Sequence, residues 1–353
     1  MQPLLLALLA VFQVFGAAPA HPAAQAGSAR QAEVDEALRR EGEVLASMAD
    51  GAAAGRAMPG ELTLAWSNDF FKAQPGTFVP FTVTFTAPEL SSRAALLYVR
   101  AERAGASADA GPARRTPAYE TIFPVRVDVR PGQQVRLTRG FAVQPGRYRV
   151  IVVIRESPET PLTALPHRKS GTMVVDLVVP DYWTDDLAIS TVILADRVEV
   201  LSEPVAADEL DENPYVIGIH RIHPAASPVF DRNRELVAAF LVYNPAVGAD
   251  KHFDVQVDYH VFRKDRQGQA ASPSDARGIR PGERYVTRTH PQRFNPSMMG
   301  SRFDPAAGTP ILAGQGILLA GFDPGDYRLE ITVTDLLSRK SLSRDVEFVV
   351  VRN

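Results

Sequence analysis

The sequence predicts an all-β protein of two immunoglobulin-like antiparallel sandwiches in tandem, preceded by an export signal and a flexible or helical leader. Three observations carry this. From about residue 61 onward apolar residues alternate with polar ones, the period of a half-buried strand. The 28 prolines and 24 glycines fall between these runs, where turns and strand ends are made. A turn-and-strand motif, Pro145-Gly146-Arg147-Tyr148-Arg149-Val150, returns 179 residues later as Pro324-Gly325-Asp326-Tyr327-Arg328-Leu329.

Taken in order, Leu4 to Phe15 is apolar except for Gln13, and small residues from Gly16 to Ala20 follow. This is the pattern of a secretory signal peptide over residues 1–20, too short to span a bilayer. Ala18-Pro19-Ala20 and Ala24-Gln25-Ala26 both satisfy the small-x-small cleavage rule, and the first lies nearer the apolar run. No Lys or Arg precedes that run. The leader, 21–60, is rich in Ala, Gly and charge. Val34, Leu38, Leu45 and Met48 could form one narrow helical face, and residues 51–60 read as a linker; a docked helix and a mobile leader both fit.

The first block, 61–180, opens with Phe81, Val83 and Phe85 alternating with threonines, and continues with Val125, Val127 and Val129 alternating with charged residues. In the repeated motif Pro presets φ at one turn position, and Gly accepts the positive φ at the next. Tyr148 and Tyr327 then begin a strand, with the ring buried and the hydroxyl free to bond back to the loop. That arrangement resembles the tyrosine corner of immunoglobulin-like sandwiches. A junction at 181–186 carries two adjacent large aromatics, Tyr182 and Trp183. They either pack between the sandwiches or stack on a ligand. The second block, 187–353, alternates more cleanly: Phe253, Val255, Val257, Tyr259 and Val261 on one face, Asp254, Gln256, Asp258 and His260 on the other.

Composition excludes several kinds of function. With no cysteine there is no disulfide framework, thiol nucleophile or Cys-bearing zinc site. A net charge of −3 is not the footprint of a nucleic-acid binder. No later apolar run reaches bilayer length. Gly-x-Ser-x-Gly, His-Glu-x-x-His and Walker motifs are absent, and no cofactor or metal site is expected.

Two stretches remain as candidates. Asp258 and His260, two apart on one strand face, could serve as an acid/base pair, although solvation of an exposed face gives the same pattern. The irregular stretch from Pro291 to Gly314 holds Phe294, Met298, Met299, Arg302 and Phe303, flexible and aromatic side chains beside arginines, as on an adaptable protein-binding surface. Folding back over the open end of the sandwich would use the same residues.

The second block also resembles a module of largely uncharacterised exported bacterial proteins of acidobacterial type. Thr191 to Val198, Asn213 to Gly218, Leu241 to Pro245, the Pro324 to Leu329 motif, Thr334-Asp335 and the Ser-Arg-Lys-Ser hairpin carry the likeness. It covers nearly half of the chain. It implies an immunoglobulin-like fold and export, and no activity. The expectation is a non-enzymatic interaction or scaffold protein of the bacterial envelope, secreted or periplasmic, with a protein partner of unknown identity. The alternatives are a glycan-binding module using Tyr182 and Trp183, and a hydrolase using Asp258 and His260.

Overall fold

The computed structural model describes residues 22–56, 60–74, 76–86, 90, 92–105, 116–127, 130, 132–159, 165, 167–206, 209–264, 278–300 and 303–352, with side chains from residue 32 onward. The expected signal segment lies outside this set. Among the described residues the structure is β apart from helix α1 (Pro22–Ala53), one further turn of helix and short 3-10 turns.

The first eight strands are β1 (Leu64–Asn68), β2 (Phe71–Ala73), β3 (Gly76–Thr86), β4 (Ala94–Arg103), β5 (Tyr119–Arg126), β6 (Gln134–Val143), β7 (Gly146–Ser157) and β8 (Ser170–Val179). β3 is flanked by β1 and β2 on one side and β6 on the other; the facing sheet runs β5-β4-β7-β8. Every pairing here is antiparallel. Between the sheets lie Val79, Phe81, Val83, Leu97, Val99, Phe141, Val150, Val152 and Ile154, with Trp66 stacked on Phe81 at 4.5 Å.

The second set comprises β9 (Ala188–Ile189), β10 (Ile193–Val200), β11 (Val216–Ile217), β12 (His220–Pro224), β13 (Val229–Asp231), β14 (Glu235–Tyr243), β15 (Val255–Lys264), β16 (Glu283–Arg288), β17 (Gln292–Phe294), β18 (Ile311–Leu318), β19 (Gly325–Asp335) and β20 (Lys340–Val351). One sheet runs β11-β12-β10-β14-β18, with β9 also on β14. The other runs β13-β20-β19-β15-β16, with β17 also on β15. The buried face of β15 carries Val255, Val257, Tyr259 and Val261, against Phe240 and Val242 of β14 and Leu329, Ile331 and Val333 of β19. The pairs β3–β6 and β14–β18, and the triplets β4–β7–β8 and β15–β19–β20, correspond, so both halves are immunoglobulin-like sandwiches of one plan.

At both corners the tyrosine is buried and its hydroxyl donates to the carbonyl four residues upstream: Tyr148 to Gln144 O at 2.7 Å, Tyr327 to Asp323 O at 2.6 Å. Both turn glycines take the expected positive φ. Gly146 at φ 146° and Gly325 at φ 158° already belong to the strands, in a region that favours glycine. An arginine distant in sequence completes each corner. Arg103 sits opposite Tyr148 and donates to Pro145 O at 2.8 Å; Arg263 sits opposite Tyr327 and donates to Pro324 O at 3.1 Å.

The leader is a docked helix, and it continues through Gly51, where a linker was expected. Leu45, Ala46 and Ala49 lie buried on the outer face of β4 and β7, against Leu96, Tyr98, Ile151 and Val153. Asp50 pairs with Arg100 at 2.7 Å, and Glu41 receives both Arg155 and Arg168. Leu38, expected on the buried face, is 51% exposed, because the sheet contact uses the turns around Leu45 and Ala49.

Candidate interaction site

The 181–186 connector lies along a wall shared by the two sandwiches. Ala239, Leu241 and Tyr243 on the outer face of β14, with Ile193 and Ala195 of β10, meet Phe71 of the first sandwich and Tyr182. Polar bonds stitch the same contact. Phe70 N donates to Thr191 Oγ1 at 3.0 Å, Lys72 N to Tyr243 Oη at 3.0 Å, and Lys72 Nζ to Asn244 Oδ1 at 2.7 Å. Tyr215 Oη donates to Asp69 at 2.6 Å. Burial raises the Asp69 carboxyl above its ordinary range, and the Tyr215 hydroxyl opposes that rise. Burial lowers the Lys72 ammonium, with Asp181 opposing.

Of the two junction aromatics, Tyr182 is buried against Tyr243, ring centroids 5.0 Å apart. Trp183 is 45% exposed. Its indole N–H is shared by Ala73 O and Gly76 O, both at 2.9 Å, and Lys72 Nζ lies 4.4 Å over its ring. A sugar stacking on Trp183 would compete with that ammonium for one face of the ring.

The 291–314 stretch is not an irregular loop. It contains β17, helix α2 (Pro296–Met299) capped by Asn295, and a 3-10 turn capped by Asp304. Phe294, Met299 and Phe303 pack against the second core, Phe303 with its centroid 5.5 Å from Phe253. Of the two expectations for this stretch, these partly buried side chains follow the cap over the open end of the sandwich, and Met298, at 68% exposure, is left outside. Arg302 lies outside the described residues.

The neighbouring loops at this end are tied together. Asp254, buried beneath β17, is gripped through both carboxylate oxygens by Arg293, which holds its carboxyl below the usual range despite burial. Lys251 pairs with Asp304 at 2.8 Å. Asp335 accepts from the backbone of Ala246, Leu337 and Ser338. Beside them a shallow cleft of about 270 Å³ is lined by Thr184, Asp185, Leu187, Asn244, Ser338 and Lys340, among others. Leu336 and Leu337 at the β19–β20 turn remain 38% and 44% exposed.

Asp258 and His260 do not form a joined pair. Asp258 accepts from Gln256 Nε2 at 2.9 Å. His260 lies between Phe262 and Tyr285, with its buried Nδ1 unpartnered. The same sheet face carries an ion cluster that spacing did not reveal. Arg328, fully buried, is bound by Glu283 through two nitrogens, by Glu330 and by Asp345, and stacks 4.2 Å from the Phe262 ring. The bonds to Glu283 hold the guanidinium above its usual range and its carboxylate below. Among the described residues no group of three or more His, Asp or Glu is arranged to hold a metal.

Fold and site together define an all-β protein of two fused immunoglobulin-like sandwiches. No family model matches this chain, and no curated protein matches it. Red sea bream transglutaminase aligns over 86% of the chain and 33% of its own length, at 12% identity and TM-score 0.21. Salmonella α2-macroglobulin reacted with methylamine aligns over 83% and 17%, at 15% identity and TM-score 0.22. The native conformation of Escherichia coli α2-macroglobulin aligns over 84% and 26%, at 10% identity and TM-score 0.30. The chain spans a third or less of each. The strand order of the two sandwiches defines the fold.

Proposed function

We propose that this chain is an exported, non-catalytic interaction protein of the bacterial envelope that binds a protein partner through the loop end of its second sandwich. The observation that supports this is a loop end tied by ion pairs and hydrogen bonds, with exposed apolar tips: Met298, Leu336 and Leu337 project from loops held by the Asp254–Arg293, Asp304–Lys251 and Asp335 contacts. Loops ordered in advance lose little entropy on docking, and exposed apolar side chains supply the contact. Export is supported by the apolar run over 4–15 and the small residues that follow it.

A photo-cross-linking residue placed at Leu337 in living cells tests the reading, with the same residue at Val44, on α1, as the comparison. A discrete adduct from Leu337, lost when Met298 and Leu336 are changed to serine, is the expected result. Equal labelling from both positions would sink it. N-terminal sequencing of the cell-envelope form tests export; the expected first residue is His21.

A further inference from the structure

The two sandwiches treat their last strands differently. Tyr148 stands opposite Leu177, and Tyr327 opposite Phe348, so Val178 and Val179 of β8 correspond to Val349 and Val350 of β20. On β20 that edge is occupied. β13 pairs with it in parallel through Val229, Phe230 and Asp231; Val349 N donates to Pro228 O at 2.7 Å, and Arg232 N donates to Val351 O at 3.0 Å. On β8 no such strand is present among the described residues. Among the described residues, hydrogen bonds reach this edge at its beginning, where Leu62 N donates to Ser170 O at 3.0 Å, and at its end, where Thr77 Oγ1 donates to Pro180 O at 2.8 Å; β1 and α1 also lie against part of β8.

Ser170 O and Pro180 O face outward and strand geometry alternates, so the N–H and C=O groups of Thr172, Val174, Asp176 and Val178 face outward too. Their side chains share the outer face, where Val174 is 40% and Val178 67% exposed. Long β-branched edges without Pro or repeated charge are templates for strand pairing. This edge carries a single charge, Asp176, 84% exposed and 3.8 Å from Arg149.

We propose that the edge of β8 from Thr172 to Val179 is a strand-addition site for an extended segment of a partner protein, running parallel to β8, with apolar residues at alternate positions and a Lys or Arg beside Asp176. A second copy fits poorly. Antiparallel self-pairing centred on Asp176 sets two carboxylates opposite one another, and centring it on Val175 sets Asp176 against Val174, with no cation to meet it. Centring it on Val174 brings Val178 against Ser170, whose carbonyl is already bonded to Leu62. This edge is separate from the loop end of the second sandwich, and either assignment can fail without the other.

The test uses the full exported chain and a capped nine-residue peptide of alternating Thr and Val with Lys at its centre, read by amide hydrogen exchange. Saturable protection of the Val174, Asp176 and Val178 amides is expected. Val174→Pro removes an outward N–H without touching the β7–β8 ladder, and should weaken peptide binding at least about tenfold. Asp176→Lys, which leaves the backbone intact, should reverse the preference between Lys-centred and Glu-centred peptides. Absence of protection at millimolar peptide would overturn the proposal. So would protection that appears with rising protein concentration alone, which would assign the edge to a second copy.

Discussion

Leu45→Ala tests the docking of α1 most directly. Leu45 has no solvent exposure and sits over Leu96, Tyr98, Ile151 and Val153. The substitution removes three carbon atoms, a transfer loss of about 2.4 kcal/mol at roughly 0.8 kcal/mol per methylene. Incomplete collapse of the site adds to this, for a total of about 2.5 to 4 kcal/mol. That should appear as a lower urea midpoint with an unchanged slope if helix and sandwich unfold together. If the helix leaves first, faster proteolysis between residues 32 and 53 should precede global unfolding. A change below about 0.5 kcal/mol by both measurements would refute the reasoning, since no weakly packed helix can bury that leucine completely.

Three further outcomes are expected. Tyr148→Phe and Tyr327→Phe should each cost about 1 kcal/mol in urea titrations, because each removes one hydrogen bond of equivalent geometry and leaves the ring in place. Arg328→Ala should cost about 3 to 5 kcal/mol by leaving the Glu283 carboxylate buried without its partner, and Arg328→Lys should not restore stability, because one ammonium cannot reproduce the two-nitrogen grip; thermal melts of both variants read this. Asp69 has a folded-state pKa above its unfolded value because of burial, so its contribution is fully present below the unfolded value, about 4, and is lost as pH rises through the folded value. Asp69→Asn should therefore gain stability relative to the parent from pH 4 to pH 7, measured by denaturation across that range; a constant difference would contradict it.

The alternating runs identified the strands of the second sandwich because β15 buries one face completely and leaves Gln256, Asp258 and His260 on the other half-buried. Other strands carry a different signal that period two does not capture. Val150 to Ile154 on β7 and Leu96 to Val99 on β4 are continuous apolar runs, as are Val237 to Tyr243 on β14. Such runs mark strands covered on both sides. In β4 and β7 the second cover is α1, and in β14 it is the first sandwich. Reading those runs as double burial would have decided between a docked and a mobile leader, and would have located the shared wall. The Pro-Gly-x-Tyr repeat revealed both corners, yet Arg103 and Arg263 lie 42 and 61 residues from the carbonyls they hold, beyond any local pattern. The Arg328 cluster stayed hidden for the same reason: Glu283, Arg328 and Asp345 meet only when three strands align. The 291–314 stretch was ambiguous for another reason: Phe294, Met299 and Phe303 have a composition that suits a binding surface and a cap equally, and only their packing against the second core distinguishes the two.

The shared wall has a mechanical consequence. Tandem sandwiches joined only by a short peptide bend at that peptide, and their tips wander over wide angles. Here the connector runs beside Phe70–Thr191, Lys72–Tyr243 and Tyr215–Asp69 bonds and an aromatic cluster, so bending must first break several contacts at once. The pair should tumble and scatter as one body. A force delivered to the loop end of the second sandwich would therefore be transmitted to α1 as a lever transmits it, with little lost in a hinge.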